Sequence, residues 1–363
     1  MQYRQMTYKK AGVDNDKEKI ALSGLLKWIE KTFQFRKKEG SVKLKEGYFA
    51  NVLDIAAGRG IAISTDGVGT KVLVAQLMGK YDTVGIDCVA MNVNDILCVG
   101  AEPISMVDYI AVDVPDPGLL EEIGRGLYEG AKLAKISICG GELAQLKEMI
   151  KGYRKGCQFD FVGTAIGLVD LNKIITGQNI QDRELVLAFF SSGIHSNGFT
   201  LVRKVLLEKS KLDVDSYIPE LGRTLGEELL EPTLIYVSPV IEMIKSKINL
   251  KALIHITGGG FFNLNRVNAP VSYVLDNLPE PQPIFSLIQR MGEVPDEEMF
   301  RVFNMGVGFC LVVPEQELDA IYKIIKKHNM KIHRIGYTKK DGKREIFIPS
   351  RRLIGRDGYF SKY

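Results

Sequence analysis

The sequence lacks the features of a secreted, membrane-spanning or disulfide-stapled chain. Its 363 residues include five cysteines, Cys88, Cys98, Cys139, Cys157 and Cys310. That is an odd number with no Cys-x-x-Cys pair, which argues against a disulfide framework or a zinc knuckle. The longest uncharged stretch, Leu185 to Val202, carries Ser191, Ser192, His195, Ser196 and Asn197 and is broken by glycines. A membrane span needs about 20 mostly apolar residues, so no membrane partner is expected. The start, MQYRQMTYKK, has no apolar h-region, and a cytoplasmic location is the expectation. Charge of either sign is also missing as a bias. Lys plus Arg total 48 against 44 Asp plus Glu, a net of +4. The densest basic stretches, 36–45 and 339–344, contain acids and glycines and no interleaved aromatics. No nucleic-acid partner is therefore expected.

What remains is ordinary for globular chains, 45% hydrophobic and 25% charged, at a length that suggests two domains. Glycine is in surplus at 36 residues. Ile61, Ile63 and Thr65 alternate with Ala62, Ser64 and Asp66, which predicts a strand running into a Gly-Val-Gly turn. Val84 to Val99 reads as a helix with an apolar stripe of Ile86, Ala90, Val93 and Leu97. Pro103 to Val114 reads as a strand. Asp116 is an N-cap, with Pro117 opening a helix to about Ala134. Gln158 to Val169 is again β-rich. A polar, aperiodic stretch over 170–183 then divides the chain into domains 1–170 and 171–350, with a C-terminal tail, 351–363. The second half predicts strands Glu184–Phe190, Leu253–Ile256, Val302–Val313 and Lys331–Tyr337. It also predicts helices from about Asn197 to Leu207 and from Phe261 to Val267, and helical spacing at Leu318, Ile321, Tyr322 and Ile325. The expected class is α/β (α+β) in two domains.

Five motifs carry chemistry. Thr65-Asp66-Gly67-Val68-Gly69-Thr70-Lys71 places an acid, two glycines and a lysine where backbone and ammonium meet phosphate and a carboxylate holds Mg²⁺. No Walker A loop occurs, and an ordinary turn fits the same residues. On the helix that follows, Asp87, Met91, Asn94 and Asp95 share a face away from the apolar stripe. Asp87 and Asp95 are about 12 Å apart along the axis, too far to chelate one ion. A solvated face is the alternative, but no Lys or Arg occurs from Val84 to Val99. Gly140-Gly141-Glu142 places a carboxylate at the end of an apolar run, as a metal ligand or a simple turn. Ser191 to Gly198 joins a strand to a helix, where free N–H groups suit an anion, and His195 there suits hydrogen bonding to a phosphoryl group or proton transfer. Thr257-Gly258-Gly259-Gly260 is a second such cradle. His255, His328 and His333 read as structural.

In this order the motifs resemble the aminoimidazole ribonucleotide synthetases, or phosphoribosylformylglycinamidine cyclo-ligases. The resemblance starts at YKKAGVD (8–14) and runs through TDGVGTK (65–71), YDTVGIDCVAMNVNDI (81–96), GAEP (100–103) and GGE (140–142). It continues through SSGIHSNGFTLVRK (191–204), EPTLIYV (231–237), HITGGGF (255–261) and FNMGVGF (303–309). It implies cyclisation of formylglycinamidine ribonucleotide with ATP, through phosphorylation of the formyl oxygen. On it, Asp66, Asp95 and Glu142 would hold Mg²⁺, and Lys71, Asp87, Asn94, Asp95 and Glu142 would serve the nucleotide. His195, Asp66, Lys71 and Asn197 would act at the reacting centre. Ser192, Gly193, His195, Ser196, Asn197, Thr257, Gly258, Gly259 and Gly260 would bind substrate. The family fold implies a homodimer in which N-terminal strands of two chains form a β-barrel. Two departures stand out. The stretch 32–47 is basic and glycine-poor where the family commonly has a glycine-rich flap over ATP, and Gln145 stands where a second acid often follows GGE. Among related folds, selenophosphate synthetases need a reactive residue near the N-terminus, whereas the first cysteine here is Cys88. A phosphotransferase resembling the thiamine-phosphate kinases and a non-catalytic nucleotide-binding homologue are the alternatives.

Overall fold

The protein is described here from a computed structural model covering residues 5–45 and 47–363. Residues 1–4, part of the stretch read above for a signal, and Glu46 lie outside the described residues. Two short helices open it, α1 (Tyr8–Ala11) and the longer α2 (Asn15–Ile29). The first sheet then combines β1 (Asn51–Asp54), β2 (Arg59–Gly67), β3 (Glu102–Val112), β4 (Ser137–Gln145) and β5 (Phe159–Asp170), in the order β1-β2-β5-β3-β4. Helices α3 (Lys71–Met78), α4 (Asp82–Leu97) and α5 (Pro117–Ala134) complete this half. The side chain of Asp116 caps α5 by accepting from the Leu119 N–H at 2.8 Å, with Pro117 as the first helical residue.

The second sheet begins at β6 (Leu185–Phe190), beyond the 171–184 connection. A small hairpin, β7 (Tyr217–Ile218) and β8 (Arg223–Thr224), stands apart. The remaining strands are β9 (Ala252–His255), β10 (Ser272–Val274), β11 (Val307–Val313), β12 (Ile332–Lys339), β13 (Ile346–Ile348), β14 (Leu353–Arg356) and β15 (Tyr359–Lys362). Their order is β15-β14-β13-β10-β12-β6-β11-β9. Residues 351–363, set apart above as a tail, therefore extend this sheet by two strands. The strand expected from Val302 starts only at Val307, because 296–302 is helical. The helix after β6 is α6 (Phe199–Val202), which widens into a π-helical segment over Arg203–Lys209. At the N-terminus the chain crosses to this half, where Met6 N–H donates to Gly292 O and Tyr8 N–H to Glu298 Oε1. Among the described residues no helix is long and apolar enough to cross a membrane.

Helix α4 fixes the geometry of the site. Of its 16 residues 14 are buried. Cys88, Asn92 and Ile96 meet the first sheet at Gly163 and Gly167, and Ile86 and Val89 meet α5 at Gly130. The polar face was expected to point away from the core, but it is enclosed by the second half of the chain. A helix buried on every side has no use for lysine or arginine, which explains their absence. The α4–α5 contact is as close as backbones allow. A Cβ on Gly126 would lie 1.8 Å from the Asp82 carbonyl oxygen, and one on Gly85 would lie 2.5 Å from Leu127 N. On an exposed helix Gly→Ala gains up to about 1 kcal/mol. Here overpacking reverses the sign. Gly126→Ala should destabilise by about 2 kcal/mol or more in urea unfolding, and a stabilised variant would contradict this packing.

Candidate functional site

Three loops meet where β6, β9 and β11 end or begin. The first, Ser191 to Gly198, is built for position. Ser191 Oγ and Asn304 Oδ1 are 3.1 Å apart, and Asn304 Nδ2 donates to the carbonyls of Gly193 (2.9 Å) and Ile194 (3.2 Å). Ser192 Oγ donates to Pro232 O at 2.5 Å, and Ser196 Oγ to Val68 O at 3.0 Å. This scaffold holds His195 at φ +64°, a left-handed conformation that side chains usually avoid. Its ring is buried, and its Nε2 accepts the Ser192 N–H at 3.2 Å. That bond assigns the proton to Nδ1, which is buried without a partner. Burial, then the neighbouring His255 and Lys71, pushes the imidazole pKa well below its usual value. His195 is thus a neutral donor. Gly308 makes room for it, since a Cβ there would lie 2.8 Å from His195 Cε1 and 1.9 Å from Tyr236 Oη.

The second loop begins at His255, which sequence reasoning set aside as structural. Its Nδ1 lies 2.9 Å from Asp95 Oδ1, and its Nε2 is buried and unpartnered. A strand-end histidine directly before Thr-Gly-Gly-Gly was the available signal. Nothing in the sequence placed Asp95 opposite it. Asp66 lies nearby at the end of β2. Burial, then the charge of Asp95, raises its carboxyl pKa to about 6. Asn92 fixes the Asp66 backbone, accepting its N–H at 2.9 Å and donating to its carbonyl at 3.1 Å. Two carboxylates drawn together out of water suit a hard divalent cation.

Glu142 does not join them within one chain. It lies inside β4 rather than past its end, exposed and in register with Tyr109. Three strand spacings separate it from β2, about 14 Å. Among the described residues no three Asp, Glu, His or Cys side chains converge as a metal cluster. Asp108, which the sequence reading passed over, lies in the same cross-sheet row as Asp66, Gly163 and Gly141. Its carboxyl pKa is raised by burial. An acid interrupting an apolar strand was its only sequence signal.

Lys71, Asp87 and Asn94 occupy the join between the halves. Lys71 is wholly buried, with Nζ 2.7 Å from Asp87 Oδ2. The ammonium also donates to Glu231 O at 2.7 Å and His195 O at 3.3 Å. Burial pushes its pKa down and the Asp87 charge pulls it back up. Asp87 Oδ1 accepts from the Thr233 N–H (2.8 Å) and hydroxyl (2.6 Å). Asn94 donates to Leu234 O and accepts from Tyr236 N–H. These groups are engaged with protein rather than turned to a ligand.

The third loop, before β11, supplies Asn304 to the first, and in the second Asn263 Nδ2 donates to the carbonyls of Thr257, Gly258 and Gly260. The Gly260 N–H is engaged by Thr257 O at 2.9 Å. The helix expected next is a seven-residue 3₁₀ segment, Gly260–Arg266. Gly260 serves close packing, because a Cβ would lie 2.3 Å from Phe300 O. Gly258 faces Asn197, whose Nδ2 is a third buried atom with no partner; a Cβ on Gly258 would lie 3.3 Å from Asn197 Oδ1.

Two outcomes follow from this geometry. An acid whose pKa rises on folding supports the fold while protonated and loses that support as pH climbs through the folded value. Between the ordinary 3.8 and about 6, ionisation of Asp66 therefore costs stability. Asp66→Asn in EDTA should be more stable than the parent at pH 7.5, by about 2–3 kcal/mol at most, and not at pH 4. Urea titrations at both pH values check this, and an equal gain at both would contradict it. Lys71→Met leaves Asp87 buried and uncompensated, which should cost about 3–5 kcal/mol, read in the same titration at pH 7.5.

Comparison with known proteins fits this geometry. Residues 47–169 match the family model described as AIR synthase related protein, N-terminal domain, and residues 184–349 match its C-terminal domain. The chain is 48% identical over 334 residues to the phosphoribosylformylglycinamidine cyclo-ligase of Methanocaldococcus jannaschii, covering 91% of each chain. It is 47% identical over 323 residues to that of Pyrococcus furiosus, covering 89% of this chain and 92% of the relative. Solved thiamine-monophosphate kinases share the fold at low identity. That of Stenotrophomonas maltophilia has a TM-score of 0.58 at 16% identity, over 88% of this chain and 94% of its own. That of Aquifex aeolicus has a TM-score of 0.58 at 13%, over 90% and 97%. With both halves matched and nearly half the residues identical along nine-tenths of its length, the chain belongs to the phosphoribosylformylglycinamidine cyclo-ligase, or AIR synthase, family of purine biosynthesis.

Proposed function

We propose that this family member closes the imidazole ring of its ribonucleotide substrate at the junction of the three loops, using ATP to phosphorylate the formyl oxygen of formylglycinamidine ribonucleotide. An amide oxygen is a poor leaving group. Once it carries the phosphoryl group, an amidine nitrogen attacks the formyl carbon and phosphate departs with the oxygen, giving aminoimidazole ribonucleotide, ADP and phosphate. The observation that carries this reading is the set of buried, unpartnered polar atoms on His195, His255 and Asn197 beside Asp66 and Asp95. Groups left unpaired in a buried place cost free energy unless a ligand completes them.

The neutral His195 donates through Nδ1 to the oxygen that takes up and then loses the phosphoryl group. Asn197 Nδ2 offers a second donor. His255, oriented by Asp95, presents Nε2 to the amidine nitrogen that sheds a proton on attack. Asp66 and Asp95 fit Mg²⁺, which when bound offsets phosphate charge. Lys71, Asp87 and Asn94 act by holding the loops, and Ser192, Gly193, Ser196 and Thr257 to Gly260 shape the substrate side.

The reading includes a homodimer with paired N-terminal sheets. Its support is the outer face of the first sheet, where Val107 and Tyr109 are 39–40% exposed beside the half-buried Ile63, Val162 and Ile166. Such an apolar sheet face is normally covered. Glu142 shares that face, so a second chain is what would bring it near a nucleotide.

The test is ADP release with Mg·ATP, with and without formylglycinamidine ribonucleotide, alongside detection of the aminoimidazole product. Substrate-dependent ADP matched by product is expected. His195→Ala should leave ATP binding largely intact and slow cyclisation about 10²-fold or more. Unchanged turnover would remove His195 from the mechanism.

A further inference from the structure

Outside this centre the described residues gather basic side chains that outnumber the acids beside them. Lys43, Lys45, Tyr48, Arg266 and Arg344 line a cavity of about 520 Å³ between residues 43–45 and 47–48 and the second half of the chain. A neighbouring cavity of about 630 Å³ shares Arg266 and Arg344 and continues to Lys343 and Arg356. Lys43 is paired with Asp54 at 2.7 Å and Arg356 with Glu345 at 2.6 Å. Lys45, Arg266 and Arg344 have no carboxylate partner among the described residues.

Both arginines are nonetheless held in place. Arg266 donates through Nε to Gly47 O at 3.1 Å and through one terminal nitrogen to Asn263 Oδ1 at 3.3 Å, and its guanidinium lies 4.5 Å from the Phe49 ring centroid. Arg344 is anchored on the carbonyls of Asn265, Val267 and Ala269. Flexible surface arginines pay rotamer entropy when they bind, and these have already lost it. Cations gathered and fixed without an anion repel one another, and a planar guanidinium is the side chain suited to phosphate. Arg266 also lies close enough to Asp66 to draw its carboxyl pKa down.

We infer that the Lys45–Arg266–Arg344 groove is a binding site for a phosphate monoester or a short polyphosphate distinct from the phosphates of ATP. Two sources share that chemistry, the 5′-phosphate of the ribonucleotide substrate and a free phosphate compound acting on the enzyme. The kinetic half of the test rests on the cyclo-ligase reading, and the binding half does not.

The experiment titrates inorganic pyrophosphate into the full-length protein in EDTA by calorimetry. The variants are Lys45→Gln, whose ammonium has no hydrogen bond or ion pair among the described residues, and the double variant Lys45→Gln/Arg266→Gln. Saturable binding is expected, weakened at least 10-fold in the double variant and measurably in the single. Lys132→Gln, on the far helix α5, should bind as the parent does. Absence of binding, or equal affinity in all variants, overturns the assignment. In turnover, a KM for formylglycinamidine ribonucleotide raised at least 10-fold, with that for ATP within 2-fold, assigns the phosphate to the substrate. Unchanged KM values, with a pyrophosphate effect on rate that the double variant loses, assign it to a free ligand. A rise confined to the ATP KM overturns the assignment, because it ties the charge to the nucleotide. Should the parent show no turnover, the cyclo-ligase reading fails while the calorimetric result stands.

Discussion

The enclosed ammonium of Lys71 is the contact on which the rest depends. It rises from the first turn of α3, meets Asp87 of α4, and ends on two carbonyls of the second half, those of His195 and Glu231. A buried ion pair is weak support for stability in itself, because desolvation offsets most of the attraction. Its value is in specifying geometry. Only one relative placement of the halves satisfies the ammonium, the carboxylate and both carbonyls. Asp87 and Asn94 extend the constraint to Thr233, Leu234 and Tyr236, so the 231–236 segment is laid along α4 by hydrogen bonds at both ends.

That clamp brings groups of opposite electrostatic character together. On the side of the first sheet, Asp66 and Asp95 concentrate negative charge in a desolvated place. On the side of the second, His195 is kept neutral by burial and carries its proton on an atom with nothing to bind. Near Asp66 the fixed guanidinium group of Arg266 adds positive charge. In the reading proposed above the acids take a cation, the neutral donor a developing oxyanion and the guanidinium groups phosphate, the parts that phosphoryl activation of an amide needs. The environment of each sets its protonation state more than its residue type does.

Much of the architecture could be read locally. The alternation at 61–66 and the Asp116–Pro117 helix start depend on neighbours in sequence, and the structure repeats them with small changes at the ends. Where the reading departed, a distant partner was responsible. The polar face of α4 has the look of an exposed surface until the second half covers it. The triple glycine resembles an anion cradle, yet Asn263 and Gly260 engage much of its backbone from within. Residues 351–363 have too few periodic positions to announce two strands, and they become strands because β13 offers a free edge.

The amino-acid sequence by itself determined the local elements, the ordered motifs and through them the family, because each of these is written in neighbouring residues. Only the tertiary structure decided which polar groups serve the fold and which are left for a ligand. Lys71 and His195 looked equally available as residues. Packing closed the first among protein partners and left the second with an unpaired donor, since satisfaction of a buried polar group depends on what the chain brings to it from far away.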